Sequence, residues 1–466
     1  MKNFLKYAAR LLLVPLAVGL LALLLLALCF LLPTEGIRAH VRATAGVLRE
    51  EGMYFSLTGE SGERHDNFID ALYLDQAIVG PGDADLPAAV LHGYDFVHTD
   101  PADPIDNVLT AVSDPSSVSL ADTEKRFFNG HLIVLKPLLL LMGYTGVRMF
   151  CLYGCLGLTA LLGFLLWRRG FGRAVLPVML SVLFLRPLAV WMNFAFSLIY
   201  VCMLAPCILI LLLPRQALRQ RGGLLFALSG AVTFCLSMNY FQLLSFGLPV
   251  LLVLLVVGLP PRPAALLKTL ADLFAAWLVG YAGAMVFKWA VYSLVSGENI
   301  FGAMLNHALW RSGLDEGSRL DALLKNARVA FGSLWWDLSE LAFAAVCALR
   351  ALRRKSRPPR CPATPAADPS AAPARPPVDL PASAPARPPV DLPASASART
   401  PAARWTLALF LGLMLLIPAA RLLLLANHSI VHADFVYRLF MMPVLAANLA
   451  LSGAWRRHPI PAKEPV

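Results

Sequence analysis

Long apolar stretches recur along almost the whole chain, and most of the acidic residues lie in the gap between the first two. That gap, residues 33–130, contains 17 Asp/Glu and 6 Lys/Arg, while the full chain of 466 residues carries a net charge of +11. Because basic residues are retained on the cytoplasmic side of a membrane protein, this asymmetry predicts that the acidic gap lies outside the cytoplasm. A hydrophobic content of 58% excludes an ordinary soluble domain, and we expect no nucleic-acid partner.

The first apolar stretch predicts a membrane-spanning helix. Residues 11–32 carry no charge, and at ~1.5 Å per residue they are long enough to cross ~30 Å of hydrocarbon. Lys2, Lys6 and Arg10 precede the stretch, so the N-terminus is expected in the cytoplasm. A cleaved signal peptide is disfavoured, because its apolar core is usually only ~7–15 residues long and a small-residue cleavage site follows it.

Ten such stretches predict an all-α integral membrane protein with about ten transmembrane helices and a helical extracytoplasmic loop domain. They lie near residues 11–32, 148–167, 174–191, 194–213, 223–239, 241–259, 270–292, 331–349, 405–425 and 438–454. Basic clusters such as Arg168–Arg169, Arg219–Arg221 and Arg456–Arg457 then all fall on one side. We therefore predict a multi-pass protein of the cell membrane with both termini in the cytoplasm. Residues 131–147 and 297–330 are ambiguous, so the count has a margin of one or two spans.

The spans divide the chain into five predicted segments. These are the first helix (1–32), an extracytoplasmic long loop with interfacial helices (33–147), a transmembrane bundle (148–349), a Pro/Ala-rich linker (350–404) and a C-terminal hairpin of two spans (405–466). Within the linker, PARPPVDLPASA at 373–384 is repeated at 385–396. Such low-complexity sequence has too little apolar content to offset chain entropy, which predicts a disordered cytoplasmic linker.

The most distinctive run of the long loop is ERHDNFIDALYLDQAI, residues 63–78. On a helix that begins near Asp66, the carboxylates of Asp66 and Asp70 share one face, with Asn67 beside them. A functional interpretation makes them a general base or a metal-binding pair for an extracytoplasmic substrate. The alternative is a solvated amphipathic face in which Asp66 is the helix N-cap.

Two lysines lie in otherwise apolar surroundings. His131 and Lys136 belong to a stretch, 127–150, that we predict to be an interfacial helix followed by a turn. Lys136 either holds a lipid phosphate or extends toward the headgroups. Lys288 lies toward the outer end of a predicted span, where a charge is expected to be functional unless it reaches the interface.

Two later outer segments carry polar residues suited to anions. His307 and Arg311 are four residues apart on one expected helical face, and arginine forms bidentate hydrogen bonds to phosphate. The last segment, ANHSIVHADFVYR at 426–438, places His428 and His432 at the i, i+4 spacing that allows two imidazoles to reach one metal. No Glu lies between them as in a zinc protease. Further candidate binding residues of this segment are Asn427, Tyr437 and Arg438.

Four stretches together resemble an uncharacterised family of bacterial multi-pass membrane proteins found mainly in Firmicutes. They are HDNFIDALYL, NGHLIVLKPLLLLMGYTGVRMF, AAWLVGYAGAMVFKWAVYSL and ANHSIVHADFVYR. The layout is also similar to that of GT-C glycosyltransferases, which use polyprenyl-phosphate sugar donors. The chain departs from that layout, since only Glu35 follows the first span and no large C-terminal outer domain is present. The layout is an analogy of fold, not of site.

The resemblance implies a membrane glycosyltransferase that uses a polyprenyl-phosphate-linked sugar at the outer face to modify a cell-envelope glycan or lipid. Asp66 or Asp70 is expected to be the base, while Lys136, Arg311 and Arg438 hold the donor phosphate. A divalent metal is possible, membrane lipid is an expected partner, and the oligomeric state is open. The alternatives are a non-catalytic scaffold or assembly protein and a transporter or flippase of lipid-linked precursors. The enzyme hypothesis predicts that Asp66 and Asp70 lie within roughly 12 Å of His428, His432 or Arg438.

Overall fold

The computed structural model describes residues 2–122, 124–237, 240–314, 317–355 and 401–455. These residues form an all-α protein that contains, besides its helices, one small antiparallel sheet. Among the described helices, six are long and apolar enough to cross a membrane, and the number is seven if one bent pair of helices counts as a single span. The fold is therefore that of an all-α membrane protein. The predicted linker lies almost entirely outside the described residues.

The described part of the first helix and the long loop contains seven α-helices and two strands, besides two short 3-10 helices. Their bounds are α1 Lys2–Phe30, α2 Thr34–Thr44, α3 Gly46–Glu51, α4 Asn67–Ile78, α5 Leu86–Leu91, β1 Tyr94–Val97, α6 Pro104–Ser113, β2 Ser119–Asp122 and α7 Leu132–Leu141.

The remaining described chain forms fourteen α-helices and a 3-10 helix, Tyr437–Phe440. Their bounds are α8 Tyr144–Arg168, α9 Gly172–Phe184, α10 Pro187–Trp191, α11 Phe194–Leu212, α12 Arg215–Leu236, α13 Leu244–Val257, α14 Pro263–Ser296, α15 Ile300–Ser312, α16 Arg319–Ala330, α17 Leu334–Lys355, α18 Pro401–Leu424, α19 Ala426–Val431, α20 Ala433–Val436 and α21 Met441–Leu451.

The prediction of ten spans is not confirmed, because several predicted spans form shorter or more polar helices. The stretch 174–191 is broken between α9 and α10, where Arg186 has a left-handed backbone at φ 56°. Helix α13 has only 14 residues. The first two turns of α12 carry Arg215, Arg219 and Arg221, which lowers its apolar content. The stretch before 331–349 is helical too, and α16 and α17 meet at a bend of 79°.

The long loop packs around α4, which is buried on nearly every side. Helices α2, α6 and α7 contact it, and so does the strand pair, in which Tyr94 lies opposite Asp122 and Val97 opposite Ser119. The predicted loop domain thus contains a short sheet as well as helices. Because so little of α4 is exposed, the carboxylates of its N-terminal turn lie inside the protein rather than on a solvated face.

Close helix packing in the bundle depends on glycine at one crossing. A Cβ atom on Gly230 of α12 would overlap the carbonyl of Trp277, and one on Gly280 of α14 would overlap the carbonyl of Ala227. Small residues at such crossings allow two backbones to approach closely. The α12–α14 pair therefore forms a tightly packed wall of the bundle, and Tyr281 on α14 lies at the same crossing.

Candidate functional site

Asp66 is the N-cap of α4, as the sequence pattern predicted. Its Oδ1 accepts a hydrogen bond from the amide of Ile69 at 3.2 Å, which satisfies one unpaired N–H of the first turn. The hydroxyl of Tyr240 lies close to the same carboxyl and stabilises its ionised form. Burial outweighs both contacts and raises the pKa of Asp66 to about 7. Asp66 is therefore a carboxyl that exchanges its proton near neutral pH.

Asp70 lies one turn further along and is fully engaged by the protein. Its Oδ2 accepts hydrogen bonds from the hydroxyl of Tyr144 at 2.8 Å and from the amide of Phe194 at 2.9 Å. Its Oδ1 accepts one from the amide of Ala195 at 3.0 Å. These two amides open α11, so Asp70 places a carboxylate at a helix N-terminus. Of the two predicted bases, Asp70 thus holds helices together, and Asp66 is the one suited to proton transfer.

The long loop and the last segment contact each other directly. Arg64 forms an ion pair with Asp434 at 2.6 Å, and the hydroxyl of Tyr437 donates to the carbonyl of Gly62 at 2.9 Å. The ring of Tyr240 lies 5.3 Å from that of His432 and 6.2 Å from that of His428. Since the hydroxyl of Tyr240 reaches Asp66, the acidic and the histidine-rich segments lie side by side at one end of the bundle, here called the loop end.

Arg438 differs from its predicted role as a phosphate ligand. Its guanidinium donates to the main-chain carbonyls of Leu185, Gly62, Asp434 and Phe435. The aromatic rings that enclose it are those of Phe196, Phe241 and Tyr437. Its donors are therefore used to join α9 to the last segment, and the side chain is completely buried.

Lys136 and Lys288 are also placed differently from the phosphate or headgroup roles predicted for them. The Nζ of Lys136 donates to the carbonyls of Ala77 and Val79 at 2.9 and 2.8 Å, at the C-terminal end of α4. The Nζ of Lys288 donates to the carbonyl of Leu91, the last residue of α5. A cation at a helix C-terminus satisfies carbonyls that lack intrahelical partners. Both buried lysines thus stabilise helix ends of the long loop.

Asn67 and His131 belong to the interior of the long loop as well. Asn67 joins a buried ion pair: its side chain donates to Glu51 at 3.0 Å and accepts from Arg148 at 2.8 Å, and Arg148 also binds both carboxylate oxygens of Glu51. His131 stacks on Tyr73 with ring centroids 3.5 Å apart. Burial lowers the pKa of His131 to about 3, so this imidazole is neutral.

Three arginines and two histidines occupy the loop end beside Tyr240, and we call these residues, Arg126, Arg311, Arg421, His307 and His432, the basic cluster. Arg421 of α18 donates to the carbonyl of Tyr240 at 3.1 Å and to the hydroxyl of Ser429 at 3.2 Å. Arg311 of α15 lies within electrostatic range of Arg126, Arg421 and Tyr240. The Nε of Arg311 is buried without a hydrogen-bond partner, and no described carboxylate forms an ion pair with this guanidinium.

Burial and the nearby positive charge lower the pKa of both histidines in the basic cluster. Burial, reinforced by Arg311, lowers the pKa of His307 and of His432 to about 4, so both are neutral at pH 7. Asn427 connects the last segment to α15 by donating to the carbonyl of Trp310 at 3.4 Å. His428 and His432 have ring centroids 4.7 Å apart. Among the described residues, no group of three or more His, Cys, Asp or Glu side chains is arranged to hold a metal ion.

Four residues of this site were not predicted from the sequence, and they are Glu124, Arg126, Tyr240 and Arg421. Glu124 forms an ion pair with Arg126 at 3.1 Å, and burial raises the pKa of Glu124 to about 7 although Arg126 and Arg311 oppose the shift. Arg421 could have been predicted from the sequence, because a charge inside an apolar stretch is costly and is by default functional. Tyr240 had none, because an aromatic residue between two spans is ordinary. A second carboxyl, that of Glu124, thus flanks the basic cluster.

The fold and site define an all-α membrane protein with a half-buried, cation-rich site at one end of its helical bundle. The sequence matches no protein-family model, no curated protein and no solved structure.

Proposed function

We propose that the protein is a membrane glycosyltransferase that takes a sugar from a polyprenyl-phosphate donor at the outer face and transfers it to a cell-envelope acceptor. The observation that carries the proposal is Arg311. Its guanidinium is half-buried beside Arg421, and no described carboxylate forms a direct ion pair with it, although Glu124 lies within electrostatic range. A half-buried guanidinium without a direct ion pair is costly, and a bound phosphate would reduce that cost with bidentate, charge-assisted hydrogen bonds.

The donor phosphate would lie against Arg311 and Arg421 rather than against Lys136 and Arg438. The latter two direct their donors at main-chain carbonyls, whereas Arg311 has a buried N–H without an acceptor. His307 and His432 are neutral and can each donate one hydrogen bond without adding repulsion. The cluster suits the loop end of the bundle, where a lipid phosphate meets the membrane surface.

Proton transfer would fall to Asp66. In the reaction, the bond between the sugar and the phosphate oxygen breaks and a bond from the acceptor hydroxyl oxygen to the sugar forms. The acceptor proton passes to the Tyr240 hydroxyl as that group gives its own proton to ionised Asp66, and the phosphate leaves with its negative charge against Arg311. Asp66 is only 1% exposed, so a relay through Tyr240 suits its position better than direct contact. A pKa of about 7 suits a general base at neutral pH.

The other candidate classes have less support from the site. A transporter requires polar groups along a path through the spans, and the candidates for such groups are Arg186 and Asp272. Asp272 forms an exposed ion pair with Lys268 at 2.8 Å, and Arg186 lies at the break between α9 and α10, 3.9 Å from Glu60. A scaffold does not require the unpaired Arg311. The glycosyltransferase proposal therefore accounts for the arginines and for the titrating carboxyl together.

Binding tests the first half of the proposal. Purified protein in nanodiscs is incubated with a polyprenyl phosphate, and the bound fraction is measured by native mass spectrometry. Arg311→Gln should weaken binding roughly tenfold or more, since a hydrogen bond to a charged group is worth ~1.5–3 kcal/mol. Arg328→Gln is the matched control, because Arg328 is an exposed arginine of α16. Equal binding by both variants would contradict the phosphate site.

Transfer tests the second half. With a radiolabelled polyprenyl-phosphate sugar and a membrane-envelope extract as acceptor source, Asp66→Asn and Tyr240→Phe should retain donor binding. Both should lose transfer, by the roughly 10²–10⁴-fold typical of general base removal. If Asp66→Asn binds the donor and also transfers the sugar as well as the wild type, Asp66 is not the base. That result would not affect the phosphate site, which the Arg311 variant tests.

A further inference from the structure

A cavity with a mostly apolar lining and a few charged side chains lies at the loop end, apart from the basic cluster. It has a volume of about 260 Å³ and lies between the junction of α9 and α10, the start of α17 and the long loop. Its lining includes Glu63, Arg186, Leu188, Ser333, Trp335 and Trp336. No residue of the basic cluster lines it. Tyr437 and Arg438 pack against the neighbouring Phe184 and Leu185 but do not line it either.

Arg186, which lines this cavity, combines an unusual backbone conformation with a buried and poorly hydrogen-bonded side chain. It is a non-glycine residue with a left-handed backbone, a conformation that costs energy and persists mainly where the surroundings or a function require it. The side chain is 5% exposed, yet it makes a single hydrogen bond, from Nη1 to the carbonyl of Phe184 at 3.3 Å. Its Nε is buried without a hydrogen-bond partner and lies 3.9 Å from Glu60, too far for a hydrogen bond. Arg186 thus lines the cavity with donor capacity that the described residues leave unsatisfied.

Acidic groups surround this arginine, so the occupant is not simply an anion. Glu63 lines the cavity, Glu60 forms the long ion pair with Arg186, and Asp337 lies within electrostatic range of both Arg186 and Glu60. The exposed indole of Trp335 offers an aromatic face of the kind that attracts ammonium groups. A ligand that carries both a phosphate and an amine matches this pairing of charges.

The remaining lining points to a lipid. Leu183 and Leu188 line the cavity and are 50% and 53% exposed on helices of the bundle, so the cavity is continuous with an apolar surface. Trp335 is 79% exposed next to them, and tryptophan is enriched where protein meets lipid headgroups. Acyl chains would lie along the leucines, while the headgroup would enter beside Arg186 and Ser333.

From these contacts we infer that the cavity binds the headgroup of a zwitterionic phospholipid, with its phosphate on Arg186 and its amine facing Glu63 and Trp335. The site is independent of the proposed glycosyl transfer, because it shares no residue with the basic cluster. It would fix one bilayer lipid at the junction where α9, α10, α17 and the long loop meet.

The test is retention of lipids by purified full-length protein in detergent, measured by native mass spectrometry after add-back. Phosphatidylethanolamine, phosphatidylglycerol and diacylglycerol with the same acyl chains are added in equal amounts. The wild type should retain phosphatidylethanolamine about tenfold over phosphatidylglycerol and retain little diacylglycerol. Soluble glycerophosphoethanolamine in excess should not displace the lipid, because it lacks the acyl chains.

Variants of the cavity test the contact with the phosphate and the contact with the amine separately. Arg186→Gln should reduce both phospholipids to the diacylglycerol level, and Glu63→Gln should remove only the preference for the amine. Trp335→Ala should lower lipid retention without disturbing the core, because Trp335 is exposed. This variant therefore still tests the site if Arg186→Gln fails to fold. Arg311→Gln and Arg328→Gln should leave retention unchanged. Equal retention of the two phospholipids by the wild type, or retention unaffected by the Arg186, Glu63 and Trp335 changes, would overturn the inference.

Discussion

The contrast between Asp66 and Asp70 gives the most demanding prediction. Asp70→Asn replaces a carboxylate that accepts three hydrogen bonds, two of them from the opening amides of α11. With its amide oxygen in the Oδ2 position, asparagine keeps the bonds from Tyr144 and Phe194, but without a charged acceptor. Its NH₂ group then faces the N–H of Ala195, so the third bond is lost and two donors oppose each other. Hydrogen bonds to a charged group contribute ~1.5–3 kcal/mol each, and relief of carboxylate desolvation offsets part of the loss. We expect a destabilisation of roughly 2–4 kcal/mol.

Asp66→Asn is the matched comparison. Asparagine is as good an N-cap as aspartate, so the bond to the Ile69 amide remains and the expected cost is below ~1 kcal/mol. Equilibrium unfolding of the two variants in SDS-containing mixed micelles, followed by tryptophan fluorescence, measures the difference. Equal stability of the two variants, or an Asp70 variant as stable as wild type, would refute the assignment of Asp70 to structure and Asp66 to chemistry.

Three further outcomes follow from the same contacts. Arg148→Met should destabilise the protein by roughly 3–5 kcal/mol in the same unfolding assay, since it leaves Glu51 buried without its cation. Burial raises the pKa of Asp66 from 3.8 to about 7, so the folded state binds its proton more tightly. The Asp66 contribution to stability should therefore be lost as pH rises from about 4 to about 7, and a flatter pH profile is expected for the Asn variant. For topology, a cysteine at Ser61 should react with an impermeant maleimide in intact cells and one at Ser356 should not; the reverse pattern would contradict the orientation.

Local chemistry made part of the site predictable. The N-cap role of Asp66 follows from an acidic residue just before an apolar helical run, and the structure has that bond at 3.2 Å. Contact between the long loop and the last segment was expected because both polar segments were assigned to one membrane face. The Arg64–Asp434 ion pair joins residues that are 370 positions apart. The apolar stretches likewise predicted an all-α membrane protein.

Tertiary partners made the rest unpredictable. Lys136 and Lys288 are cations in apolar sequence, which suggests a ligand or the interface, but each meets the carbonyls that end a distant helix. Arg438 similarly has the sequence context of an anion ligand and the contacts of a helix connector. The number of spans depended on local breaks such as Arg186, whose left-handed backbone divides one apolar stretch into two helices. Composition does not reveal such breaks.

The most direct test of the proposed function is a structure of the protein with a bound polyprenyl phosphate in a nanodisc. We predict that the phosphate lies within hydrogen-bonding distance, ~3 Å, of the guanidinium groups of Arg311 and Arg421, on the side of Tyr240 opposite Asp66. A phosphate bound at the Arg186 cavity or elsewhere on the bundle, with Arg311 still unoccupied, would contradict it.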